Sequence, residues 1–190
     1  MSNLSGRTGL AATTERLVAV WALLGGMVLL AVVFMNTWTV IGANFGIPPD
    51  EEATGLLVGV RRWLAQLIPG PFPGDFEMTE VGICIAAFSF LPYCQLTGAN
   101  VSADIFTARA GPRWIGVFHT MGSLVALLFA ALLLWRMFAG LLDQKEYGYT
   151  TAILQFPHWI AFVPILISLG LLALAAIVTL RESILQAARH

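Results

Sequence analysis

Four runs without a charged residue, 17–49, 81–103, 114–135 and 147–180, constrain this chain more than any motif in it. Each is at least as long as the roughly 20 residues that a helix needs to cross hydrocarbon. No water is available there to bond an open backbone, so the runs must pair their own amides and carbonyls as helices. The chain is therefore expected to be an all-α integral membrane protein with four transmembrane helices. The crossings fall at about 17–41, 79–96, 114–136 and 157–180, in a single membrane domain over 1–190. Hydrophobic residues make up 58 % of the chain, charged residues only 11 %, and the mean hydropathy is +0.80. Soluble domains are far richer in charge. The net charge of −1 and the lack of a lysine or arginine cluster exclude nucleic acid as a partner.

Between the first and second runs lies a segment of another kind. Leu56, Leu57, Val60, Trp63, Leu64, Leu67 and Ile68 recur at helical spacing and leave Arg61, Arg62 and Gln66 on other faces. This predicts one amphipathic helix over about 50–68, with Asp50, Glu51 and Glu52 in its first turn and Pro69, Gly70, Pro71 and Pro73 ending it. Such a helix either lies in the membrane interface or covers the bundle. The first apolar run exceeds the core of a secretory signal and is expected to be retained as an anchor. Gly25 and Gly26 within it would let a neighbouring helix come close.

The second crossing opens on Asp75, Glu77 and Glu80, where a helix N-terminus and the headgroup level both tolerate acids. Pro92 is expected to break or bend it near its end. A turn with Asp104, Arg109 and Arg113 leads to the third crossing, bordered by Trp114 and Trp135. A polar loop with Asp143, Lys145, Glu146, Tyr147 and Tyr149 then leads to Gln155, and Pro157 suits the first turn of the fourth crossing beside His158 and Trp159. With both ends on one side, that side holds Arg7, Arg16, Arg109, Arg113, Arg181 and Arg189, against Arg61, Arg62, Arg136 and Lys145 on the other. The excess puts both termini in the cytoplasm and the amphipathic helix in the first periplasmic loop.

Catalytic and cofactor chemistry finds little footing. No acid or base stands near the centre of an uncharged run, and Asn36, Ser89, Ser123 and Ser168 are the deepest polar groups, suited to bonding between helices. A transporter working alone would want an ionisable centre or broken helices at mid-membrane. Cys84 and Cys94 are separated by about 15 Å of helix, beyond disulfide reach, and read as buried thiols. His119 and His158 belong to opposite membrane faces, so one haem could not join them. No metal, cofactor or enzyme site is expected. A small bundle of this kind supports a partner, and the competing class is a self-contained four-helix protein, either a homo-oligomeric carrier or a small membrane enzyme.

In combination, Gly74-Asp75-Phe76-Glu77 with Glu80, the turn from Val101 to Arg113 with Asp104 and Pro112-Arg113, and Leu154-Gln155-Phe156-Pro157-His158-Trp159 carry a resemblance. The chain resembles the small membrane subunit, the Q or DctQ type, of tripartite ATP-independent periplasmic (TRAP) transporters, over most of its length. Asn100 stands where family members often have histidine, and the 50–68 helix looks longer than the family's usual first outer loop. The resemblance implies a heterodimer with a large multi-spanning TRAP subunit in the bacterial inner membrane. That partner would bind sodium and an organic acid delivered by a periplasmic substrate-binding protein. The small subunit would extend the static scaffold. Glu77, Glu80, Asp104, Arg109, Arg113, Pro157 and Trp159 would be partner contacts or interfacial anchors, with Asp104, Arg109 and Arg113 on the cytoplasmic side and Glu77 and Glu80 fixing the outer end of the second helix. Separately from the resemblance, the sidedness of the acids motivates the expectation that the acidic outer surface and the 50–68 helix help receive the binding protein.

Overall fold

The computed structural model describes residues 9–46, 55–99 and 112–187. They form five helices: α1 (Leu10–Phe45), α2 (Leu56–Leu67), α3 (Asp75–Thr97), α4 (Pro112–Tyr147) and α5 (His158–Ala187). Among the described residues the sole extended pairing is an isolated bridge between Thr150 and Pro157. The fold is all-helical, and α1, α3, α4 and α5 are each long and apolar enough to cross a membrane.

The four long helices do not close into a symmetrical bundle. α3 lies between α1 and α5, α4 packs on α5, and α1 touches α5 only lightly. Small residues make these approaches possible. A Cβ on Gly25 would stand 2.5 Å from the Cβ of Ser89, and one on Gly82 would run into Val32, so α1 and α3 meet where neither helix has bulk. Gly140 does the same for α4, where a Cβ would stand 3.1 Å from the Phe162 ring of α5. Close backbone approach is the main source of packing energy between helices that lipid tails would otherwise solvate equally well. Gly26, next to Gly25, faces open space and has no such role.

Several boundaries differ from the sequence expectation. α3 passes unbroken through Pro92, which is fully buried, and ends at Thr97, within a residue of the expected limit, before a left-handed Gly98. A membrane helix tolerates an interior proline because neighbouring helices and local adjustments re-satisfy the freed backbone. α4 runs past Trp135 and Arg136 and takes in Asp143, Lys145 and Glu146, which the sequence reads as loop. No proline interrupts that stretch, and the helix stops where Gly148 adopts φ 63°, the usual left-handed exit. α2 begins at Leu56 with no acid in its first turn, and Asp50, Glu51 and Glu52 lie outside the described residues. The thiols are not buried as expected: Cys84 is exposed and Cys94 half-buried, because α3 presents one side to α1 and α5 and the other to the surroundings.

Candidate functional site

At the end of the molecule where α3 begins, two distant segments lock together. Gly74, at φ 79°, turns the chain into α3, and the space its missing Cβ leaves is filled by Leu154, 2.5 Å from where that atom would stand. One turn on, Glu77 reaches the loop between α4 and α5. Its Oε1 accepts the Ile153 amide at 2.7 Å and its Oε2 accepts the Leu154 amide at 3.0 Å. Paired amides on one carboxylate resemble the way an acid caps a helix start, here used on a loop.

The loop is tied within itself as well. Thr151 donates its amide to the Phe156 carbonyl at 3.0 Å, its hydroxyl accepts the Phe156 amide at 3.0 Å, and the His158 amide bonds the Tyr149 carbonyl at 3.1 Å. Gln155 takes φ 52°, a left-handed conformation uncommon outside glycine, as the loop turns back. Pro157 sits one residue before α5, and its carbonyl accepts the Ile160 amide at 3.2 Å, so its fixed φ sets the direction of the helix. Lys145, in the last turn of α4, stands 5.9 Å from the ring centroid of Trp159 in the first turn of α5, a cation–π contact across the loop. Tyr147 and Tyr149 approach at 5.8 Å between ring centroids.

The two sequence stretches at Gly74–Glu77 and Leu154–Trp159 are thus one structural unit. That contact was not visible in the sequence, since nothing in the spacing of 76 residues between Glu77 and Ile153 announces it. The signal that could have found it is an acid directly after a glycine turn, with a loop elsewhere short of backbone partners. Glu80 is exposed on the next turn of α3 and has no partner among the described residues. Asp104 and Arg109 lie outside the described residues; Arg113 falls in the first turn of α4, with its side chain outside them.

Below this clamp the polar side chains of the spans bond to one another. Asn36 donates to the Thr79 hydroxyl at 2.8 Å, Trp21 donates its indole N–H to Ser168 at 2.8 Å, and Gln95 donates to Thr179 at 3.2 Å. The acceptors in turn donate to their own helices: Thr79 to the Asp75 carbonyl, Ser168 to Pro164 and Thr179 to Ala176. These pairs join α1 to α3, α1 to α5 and α3 to α5, so each contact of the three-helix core carries one. Beside Asn36 and Thr79 an open, apolar groove of about 480 Å³ runs along α1 and α3, lined also by Val33, Val40 and Ile83. No group of three or more metal-ligating side chains occurs among the described residues. The arrangement holds the helices to one another.

A family model described as "Tripartite ATP-independent periplasmic transporters, DctQ component" matches residues 56–186. The chain belongs to this family. As a DctQ component it is a multi-pass membrane protein and the small membrane subunit of a TRAP transporter, a family of transport proteins and not of enzymes. The match begins at the start of α2 and ends within α5, so both halves of the clamp fall inside it and the whole of α1 precedes it. No curated protein and no solved structure matches the chain.

Proposed function

We propose that this DctQ subunit is a fixed brace for a large multi-spanning subunit in the bacterial inner membrane. Both its termini are cytoplasmic, and the large subunit imports an organic acid with sodium after a soluble periplasmic binding protein delivers it. The observation that supports this reading best is the use of the interior polar groups. Asn36, Trp21 and Gln95 are spent on joining α1, α3 and α5. A carrier's ion or substrate site needs such groups free to face a cavity at mid-membrane. Here they fasten helices to each other, which suits a body that does not change shape while its partner moves.

On this reading Glu77 fixes the α4–α5 loop in place, Pro157 and Trp159 set the angle at which α5 enters, and Glu80 is free to face the partner or the binding protein. Asp104, Arg109 and Arg113 anchor the cytoplasmic side. α4, which leans on α5 and leaves Leu124, Val125, Leu128 and Phe129 exposed, provides a long apolar face for the large subunit. Affinity purification of the tagged chain from its native membrane in mild detergent tests the assignment. The expected result is stoichiometric recovery of one much larger multi-spanning protein. Recovery of the chain as a homo-oligomer with no such protein would overturn it.

A further inference from the structure

The structure leaves α2 in an unusual position: a helix of twelve residues with none of them buried. Five of its strongly apolar side chains are exposed. Leu56 is 87 % and Leu57 82 % accessible, and Val60, Trp63 and Leu67 are all at least half so. At ~100° per residue these five fall within an arc of about 120°. The partly shielded residues, Leu64, Ile68, Ala65 and Val58, start at the edge of that arc and continue to one side of it. α2 therefore leans on the protein with its flank and points its oily face elsewhere, so the alternative of a cover packed over the bundle does not describe it.

Where that face points is limited by how α2 is tethered. The chain just after it, Ile68 to Gly70, packs on the last turn of α1: a Cβ on Gly42 would stand 2.8 Å from the Gly70 carbonyl carbon, and one on Gly46 would stand 2.6 Å from the Pro69 carbonyl oxygen. Six residues beyond Ile68, Gly74 opens α3. α2 is thereby held between the ends of two membrane-spanning helices, at the level where hydrocarbon gives way to headgroups. Its only charged residues are Arg61 and Arg62, both exposed and both off the apolar arc, and Trp63 is of the type that prefers the interface.

We infer that α2 is a lipid-binding element that lies in the outer leaflet, with Leu56, Leu57, Val60, Trp63 and Leu67 among the upper acyl chains and Arg61 and Arg62 on the phosphates of anionic phospholipids. A short amphipathic helix with a basic polar side and an aromatic on the other has the composition of such an element. The two guanidiniums supply the charge complementarity, since each planar fork matches a phosphate. The choice of leaflet rests on the proposed orientation with both termini cytoplasmic; the lipid contact itself does not depend on what the transporter carries or on how the large subunit moves.

The test uses the full chain in lipid nanodiscs, with Cys84 and Cys94 replaced by alanine and a spin label at Val60→Cys or Arg62→Cys. Relaxation by oxygen and by a water-soluble nickel chelate should place the label at position 60 roughly 5–10 Å below the headgroups and the label at position 62 at the headgroup level, open to the chelate. In parallel, spin-labelled phosphatidylglycerol should associate with the unlabelled chain in preference to phosphatidylcholine, and the Arg61→Gln/Arg62→Gln variant should lose roughly fivefold of that preference per arginine. Both arginines are exposed, so circular dichroism should show an unchanged helix content in the variant. The inference fails if position 60 is as open to nickel as position 62. It fails equally if position 60 becomes shielded only when the large subunit or a binding protein is added, or if the lipid preference survives loss of both arginines.

Discussion

The adjacent glycines of α1 give a sharp test at the residue scale because they occupy opposite environments. Gly25→Ala would force its Cβ to within 2.5 Å of Ser89 Cβ, while Gly26→Ala meets nothing within 4 Å. The first should destabilise by about 1–3 kcal/mol, the usual cost of overpacking, and the second should be neutral or slightly stabilising; thermal unfolding in detergent reads both. Glu77 makes a second case. Glu77→Gln keeps one acceptor oxygen for two amides that now share the carboxylate, so hydrogen exchange should speed up at Ile153 and Leu154 while the spans keep their protection. Unchanged exchange in that loop would mean the clamp does not hold it. The sequence made Glu77 prominent as an acid at a helix start, where its charge suits the helix dipole. It could not show that both oxygens are directed at amides of the α4–α5 loop, because the partners are backbone groups and backbone leaves no mark on residue identity.

Among the elements, the helices themselves were largely legible and their limits less so. Long uncharged runs predict α1, α3, α4 and α5, since a span of hydrocarbon admits few other structures. Charge alone misplaced the end of helical structure in α4, where Asp143, Lys145 and Glu146 are helical although polar. A helix ends where its backbone is stopped, at Gly148, and not where it leaves the membrane. Those two limits are separable by experiment. Arg136 is exposed on α4 with no partner among the described residues, and it lies about 16 Å short of the helix end at 1.5 Å per residue. An unpaired arginine is costly in hydrocarbon, so the headgroup level is expected near Trp135 and Arg136. A label at Leu142→Cys should then be open to water-soluble reagents and one at Leu128→Cys closed to them. The core contacts invite a different measurement. A double-mutant cycle on Trp21→Phe and Ser168→Ala should return a coupling of about 0.6 kcal/mol, the average for hydrogen bonds between membrane helices. A coupling near zero would show that the bond contributes nothing to holding α1 against α5.

For the whole molecule, family membership and architecture lead to the same division of labour. A DctQ subunit whose α4 packs mainly on α5, and whose Asn36, Trp21 and Gln95 are committed to helix contacts, fits the proposed role of a body that is packed against and does not open and close around cargo. The row of helices α1, α3, α5 and α4 offers broad faces on both sides, which a larger membrane protein can use and a closed four-helix bundle could not. On the proposed reading, sodium-driven uptake belongs to the complex. The most direct measurement is organic-acid accumulation in liposomes under an inward sodium gradient, with the binding protein present outside. Vesicles containing this chain and its co-purified large subunit are expected to accumulate solute, and vesicles containing the chain alone are expected to stay at the level of empty ones. Accumulation against a gradient by the chain alone would contradict the account.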